Sequence, residues 1–192
     1  MNAVHTPADI VGLERRVSLF RDAMRRLASG VSLVTSGTRD GDHAGLIATS
    51  VVSVSMDPPT LLVCVNQSSS AHPVIEASGV YCVNLLASED RGLVDIFGSS
   101  ARRDDRFKVG AFEPTGSGPL RLATALAAIE CKVVVAFAYG THTLFVGEVT
   151  GIHLAPADRT DPLVYMNKTF HALSSPDQDD ALPRAPAGHT AQ

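Results

Sequence analysis

The segment SVVSVSMDPPTLLVCVN, residues 50–66, decides how the chain is read. At period two, Thr49, Val51, Ser53 and Ser55 fall on one face of a strand and Ser50, Val52, Val54 and Met56 on the other, so hydroxyls gather on one side. Asp57-Pro58-Pro59 interrupts the run, because two prolines offer no N–H to a central ladder and push Asp57 into extended backbone. LLVCVN then resumes as a second strand. A face of hydroxyls looks either at water, as one side of an antiparallel sheet often does, or at a ligand.

Working upstream, Val17, Phe20, Met24 and Leu27 recur at helical spacing, with Ser18 placed to cap and Gly30 to stop, which predicts a helix over 18–29. Arg15, Arg16, Arg21, Arg25 and Arg26 give it a solvated basic side. VSLVTS (31–36) predicts a strand, GTRDGD (37–42) a turn, and a single further strand runs from about 43 to 55. Downstream come a polar loop (67–70), a short helix (71–77), a strand (80–86) and a helix (89–97). Residues 99–119 form a long polar connection, a candidate ligand edge. Two β-rich segments, 124–139 and 142–155, meet in a hairpin at Tyr139-Gly140-Thr141-His142, and 162–166 is the last strand. Residues 174–192 are polar, Pro- and Ala-rich and aperiodic, the signature of a disordered tail.

Six or seven strands against three helices indicate a mainly β protein, an antiparallel barrel with peripheral helices. The implied organisation is an N-terminal extension (1–17), one domain (18–173) and the tail (174–192).

Composition narrows the function. Of 192 residues, 45% are apolar and 19% charged, and no apolar run approaches the ~20 residues a membrane span needs. The start of the chain shows no secretory pattern, so a cytoplasmic location is expected. A formal charge of -4 argues against a nucleic-acid binder. Cys64, Cys82 and Cys131 sit in strand-like apolar runs without a CxxC and read as buried thiols. The seven histidines show no metal-ligand spacing, and no metal is expected. T-G-S-G-P (115–119) puts Pro119 where a dinucleotide-binding helix would open, and the phosphate-loop, nucleophile-elbow and zinc-protease motifs are missing. What remains is a set of hydroxyls and amides at strand ends (Thr49, Ser50, Ser53, Ser55, Asn66, Ser68, Ser69, Ser70), a basic cluster (Arg102, Arg103, Arg106, Lys108) and a turn histidine, His142. Such an inventory suits a phosphorylated, ring-containing ligand.

The order of the pieces is also informative. FRDAMRRLASGVSLVTS (20–36), GLIATSVVSVSMDPPTLLVCVN (45–66), CVNLLASED (82–90), DRF (105–107), IECKV (129–133), GTHTLFVGEV (140–149) and PLVYMNKTFHAL (162–173) together resemble the short-chain NAD(P)H:flavin oxidoreductases, the reductase components of two-component flavin monooxygenases. The resemblance implies an FMN-binding split β-barrel of Greek-key type, a homodimer, and a flavin (FMN or FAD) on the barrel wall near the subunit contact. Ala48, Thr49, Ser50, Ser53, Val54 and Ser55 would line the flavin, by side chains and by main-chain groups at its pyrimidine edge. Cys64, Val65, Asn66, Ser69 and Ser70 would lie near its ribityl chain and phosphate, and Arg106 and Phe107 would close the edge. His142, with Tyr165 and Phe170, would form the groove for the nicotinamide of NADH or NADPH.

Hydride would pass directly between the two rings, so the protein would supply alignment and stabilise charge on the reduced ring, and released flavin would diffuse to a separate monooxygenase. Two positions depart from the family's pattern. Thr141 stands where many relatives have Asp, removing a carboxylate that could orient His142, and Ile47 stands where many have Thr. A non-catalytic flavin- or haem-binding split barrel and an oxidase akin to pyridoxamine phosphate oxidases are the alternative readings.

Overall fold

The structure, a computed structural model, describes residues 7–38, 41–159 and 161–173. The expected tail and the first part of the N-terminal extension lie outside the described residues.

One seven-stranded antiparallel sheet dominates, in the order β3 (Ala44–Ala48), β2 (Ser32–Ser36), β6 (Val80–Leu85), β9 (Ala127–Tyr139), β10 (His142–Leu154), β5 (Pro59–Asn66), β4 (Val51–Met56). Its edge strands, β3 and β4, are consecutive in the chain with only Thr49 and Ser50 between them. Edges of a flat sheet this wide would stand about 29 Å apart, at ~4.8 Å per strand. The three Cα–Cα steps from Ala48 to Val51 reach at most ~11 Å. The sheet therefore curls on itself, and the Cys64 N–H donates to the Ser50 carbonyl at 3.2 Å, carrying the β4–β5 ladder one residue into the link.

The strand expected over 43–55 is thus two strands on opposite edges, and the single hydroxyl face does not survive the break. Ser50 Oγ donates to the Cys64 carbonyl (3.1 Å), while Ser55 Oγ donates to the Asp57 carbonyl (3.0 Å) and accepts its N–H, serving the turn into the prolines.

Alternation along the strands feeds two cores. Val34, Val63, Val65, Tyr81, Val83, Cys131 and Phe145 fill the barrel. Val31, Leu33, Leu86, Leu93, Ile96, Phe97 and Leu163 pack the other side of β2 against α3 (Arg91–Phe97) and a small sheet. Leu33 and Val34 thus point into different cores, which is why β2 is buried throughout. That small sheet joins β1 (Ser29–Gly30), β11 (Leu163–Met166) and β12 (Thr169–Ala172), so 162–166 is not the last strand. The expected 99–119 connection contains half a hairpin of its own, β7 (Phe112–Pro114) paired with β8 (Leu120–Leu122). Asn84 fixes that hairpin: fully buried, it donates to the Leu33 carbonyl (2.9 Å) and accepts the Leu122 N–H (2.7 Å).

The β9–β10 hairpin turns on Gly140 and Thr141, and Gly140 has φ +58°, the left-handed conformation that suits glycine at the first central position. The first helix, α1, spans Pro7–Met24 rather than 18–29. Ser18 is interior to it, and Gly30 belongs to β1, because pairing with β11 claims the chain that periodicity alone left to the helix. Cys82 and Cys131 are buried free thiols, and Cys64 is half-buried.

Glu130, on β9, is 7% exposed and is held by Ser117 Oγ (2.5 Å) and His153 Nε2 (2.9 Å). Burial alone would raise its carboxyl pKa, but the bonds from Ser117 and His153 outweigh burial and hold it below the usual value. A depressed folded-state pKa stabilises the protein above the unfolded value, 4.5, and that contribution is lost as pH falls through the folded value. Glu130→Gln is therefore expected to flatten the acid limb of a stability-versus-pH curve below about pH 4.5, measured by urea unfolding. An unchanged acid limb would show that the carboxylate charge is not part of the clamp.

Candidate functional site

The turn after β5 is built by its own side chains. Asn66 Oδ1 accepts the Ser68 N–H (2.9 Å) and hydroxyl (2.8 Å), and the Asn66 carbonyl accepts the Ser69 N–H (2.9 Å). The hairpin docks on this turn: the Gln67 N–H donates to the Thr141 carbonyl (3.0 Å), and Gln67 Nε2 reaches the His142 carbonyl (3.5 Å). His72, buried at the start of α2 (His72–Ser78), adds a second link through Nε2 and Thr143 Oγ1 (2.8 Å). Ser68–Ser70 and His142 are thereby held at one rim of the barrel.

A cleft of about 340 Å³ opens at this rim, lined by Gly45, Leu46 and Ile47 of β3, by Ser68, Ser69, Ser70 and Ser100, and by Arg103 and Arg106. Its lining holds two arginines and no carboxylate. Arg106 straps three segments together: Nη1 donates to the Gly45 carbonyl and Ser70 Oγ (3.3 Å each), and Nη2 to the Phe97 (2.7 Å) and Ser99 (3.2 Å) carbonyls. Its Nε is buried with no partner among the described residues. Burial, and then the neighbouring Arg103, lower the Arg106 pKa, the mark of a cation short of counter-charge. Arg102, by contrast, is paired with Asp105. A cleft with these donors accepts an anion carrying several oxygens, and phosphate fits.

The other expected site residues divide. Ser69, Ser70 and Arg106 converge on the cleft, and Ile47 lines it. Phe107 sits beside it, packed edge-on against Phe97 (5.2 Å between ring centres) and Phe112 (5.1 Å). Ala48 and Val65 are core residues, so only their main chain is available to a ligand. Thr49 opens onto a separate, mostly apolar cavity of about 400 Å³ with Val31, Val51, Leu86 and Leu163. Ser53 and Val54 lie exposed on β4, at a bulge in its pairing with β5.

Cys64, Asn66 and His142 share the outer face of the sheet. Register places Asn66, His142 and Tyr139 in one row across β5, β10 and β9; Cys64, Leu144 and Phe137 in the next; and Leu62, Val146 and Val135 in a third, which Val52 of β4 extends. His142 is exposed, with Nδ1 2.9 Å from Thr141 Oγ1. Tyr165 and Phe170 do not join it. They are cross-strand partners on the small sheet (5.0 Å between ring centres), and Arg91 lies over the Phe170 ring at 4.1 Å. That sheet attaches near Leu86, at the end of the barrel from which the β9–β10 hairpin points away.

Sequence reasoning did not single out Arg103 from its basic neighbours. The signal was its spacing from Arg106, which puts both at the ends of one 3-10 turn, Arg103–Asp105, facing the same cleft. Gly45 was also missed: a Cβ there would stand 2.7 Å from the Phe97 ring, so only glycine lets α3 approach the strand. Among the described residues, no cluster of three His, Cys, Asp or Glu forms a metal site, and no helix is long and apolar enough to cross a membrane.

Comparison with known proteins gives a consistent picture. Residues 24–174 match the flavin reductase like domain. The FMN reductase (NADH) RutF of Stutzerimonas stutzeri is 39% identical over 156 residues, covering 81% of this chain and 88% of that protein. The reductase component of an FADH(2)-dependent resorcinol hydroxylase from Rhizobium sp. is 38% identical over 156 residues, covering 81% and 86%. The structure of the Streptomyces globisporus NADH:FAD oxidoreductase SgcE6, solved in complex with NAD and FAD fragments, superposes with a TM-score of 0.76 at 28% identity, covering 93% of this chain and 100% of that one.

Arg106→Ala removes four hydrogen bonds from a part-buried guanidinium and is expected to cost about 2–4 kcal/mol of stability in urea unfolding. Inorganic phosphate should raise the melting temperature of the parent and not of the variant. Equal phosphate stabilisation in both would place the anion site elsewhere.

Proposed function

The chain belongs to the flavin reductase like domain family, and we propose that it is an NADH-dependent flavin reductase whose flavin phosphate sits in the serine–arginine cleft. The observation that carries this placement is the cleft's lining, with two arginines, four serines and no acid, at the rim where the hairpin turn carrying His142 docks. A bound flavin supplies the acceptor that takes hydride from the nicotinamide, leaving NAD⁺. Ser69, Ser70 and Arg106 hold the phosphate, and the main chain of Ala48, Thr49 and Ser50, on the short link between sheet edges, faces the ring. Cys64 and Asn66, on the adjoining outer face, lie toward the ribityl chain.

His142 orients the nicotinamide from the hairpin turn. Thr141 takes the place of the family's carboxylate: its hydroxyl stands 2.9 Å from Nδ1 and can hold the ring in place either as donor or as acceptor. No general base is needed for direct hydride transfer, so the residues act by orientation and by excluding water.

A homodimer is supported by the outer face. Val52 (55% exposed), Val135 (54%), Phe137 (58%) and Tyr139 (76%) form an apolar surface on β4 and β9, and among the described residues the edge of β9 beyond Lys132 has no strand partner, its last bond on that side being Val133 N–H to the Gly79 carbonyl. Long apolar edges of this kind are normally covered, and a second copy of the same surface covers both at once. Within one chain Tyr165 and Phe170 are remote from His142, so their part in a nicotinamide groove requires that second copy. Reduced flavin then leaves for a partner monooxygenase in the cytoplasm, the division of labour that the names of the reductase components express for those relatives.

Anaerobic mixing with NADH and FMN or FAD should bleach the oxidised flavin band rapidly; flavin that stays oxidised in the presence of folded protein would end the reading. His142→Ala should raise the KM for NADH about three- to tenfold, the loss of one hydrogen bond, and shift the flavin Kd less than twofold. Identical NADH kinetics would remove His142 from the groove. Phe137→Asp should convert a species of twice the 20.2 kDa chain mass into a monomer in sedimentation equilibrium. A parent that is itself monomeric would sink the dimer.

A further inference from the structure

A second cleft, also about 340 Å³, adjoins the first and shares Ser70, Arg103 and Arg106 with it. Its remaining wall is Asp42, His43, Ala44, Val74 and Phe107. We propose that this cleft takes the second phosphate and the adenosine of a dinucleotide flavin, so that His43 and Arg103 favour FAD over FMN. The proposal rests on the first cleft being the flavin phosphate site.

Four observations carry it. The shared wall means that a chain of phosphates leaving the first cleft past Ser70 enters the second between the same two guanidinium groups. Neither Arg103 nor Arg106 pairs with a carboxylate among the described residues, although Arg25, Arg91, Arg102, Arg121 and Arg159 all do. One phosphate leaves a two-arginine site with charge to spare; a pyrophosphate offers oxygens to both forks.

The histidine is held to present one nitrogen. His43 Nδ1 is buried without a partner among the described residues, against Gly37, where a Cβ would lie 2.5 Å from it. Nε2, also without a protein partner among the described residues, is left as the nitrogen open to the cleft. Burying an N–H without an acceptor is costly, and a proton placed on Nε2 rather than Nδ1 avoids that while offering a donor to a phosphate oxygen.

The far wall suits a purine. The His43 and Phe107 rings stand 5.9 Å apart, tilted by 55°, and Val74 adds an apolar surface, while Asp42 at the exposed rim can accept from an adenine amine or ribose hydroxyls. Each cleft alone is at the lower end of the ~300–1,000 Å³ typical of small-ligand sites, and the two joined match a dinucleotide.

The test is titration of the full chain with FMN and with FAD, by flavin fluorescence, for the parent, His43→Ala and the cleft-filling Val74→Phe. The parent should bind FAD more tightly than FMN, and each variant should lower the FAD preference about tenfold, the worth of one charge-assisted hydrogen bond or a blocked subsite. The FMN Kd in each variant is the control for folding. AMP, which carries only the adenosine and the second phosphate, should compete with FAD and leave FMN binding unchanged. An unchanged FAD-to-FMN ratio in both variants would overturn the inference while leaving the reductase reading intact, provided FMN still binds and is reduced. AMP that instead raises only the KM for NADH would assign the cleft to the nicotinamide dinucleotide and equally overturn it. Failure of FMN itself to bind the parent would remove the premise along with the inference.

Discussion

Thr49 and Ser50 bridge the two edges of a seven-stranded sheet, and that short link sets the shape of everything else. Because it cannot span a flat sheet, the sheet must close, and closure brings the start of β3 to the same rim as the end of β5. Gly45–Ile47 and Ser68–Ser70, more than twenty residues apart in sequence, become the two sides of one cleft. Closure also crowds the interior. At Gly147, beside a bulge in β10, an added Cβ would stand 2.7 Å from Cζ of Tyr81 and 2.8 Å from Cβ of Cys131, so the barrel closes only with glycine there.

Arg106 works on the geometry that closure creates. Its guanidinium joins β3, the end of α3 and the serine turn, so the cation that would meet a phosphate is also the strap that shapes the cleft. The arrangement is electrostatically expensive, because the group is desolvated and stands beside Arg103. An anion in the cleft relieves both penalties. Binding therefore stabilises the fold locally, and a site built this way is formed before its ligand arrives.

Much of this was legible in the sequence, for identifiable reasons. Hairpin, polar loop and short helices were readable because their signals are local: Gly140 in a two-residue turn, the polar run 67–70 between two apolar segments, His72-Pro73 opening α2. The break at Thr49–Ser50 was not, since an apolar and hydroxyl alternation runs on through it unchanged, and only the competition of two distant partners, β2 and β5, shows that the strand must change edges. The end of α1 failed similarly, where β11 captured Ser29 and Gly30. Arg103 and Arg102 are adjacent and chemically identical; that one faces the cleft and the other pairs with Asp105 is decided by the 3-10 turn between the loop's ends, a tertiary outcome. Tyr165 and Phe170 carried a family expectation that one chain does not satisfy.

That last mismatch and the exposed outer face share a cause. The period of two that sends Val63, Val65, Thr143 and Phe145 into the barrel sends Cys64, Asn66, Leu144 and His142 outward, into the same rows as Phe137 and Tyr139. The histidine cannot be moved to a sheltered inner face without inverting the register of β10 and unpacking the core. Water is therefore excluded from His142 only by something laid over the outer face, and a surface that is apolar for two rows below it suits another apolar sheet. In the homodimer proposed above, subunit association and shelter for the nicotinamide would be one event, imposed by strand register.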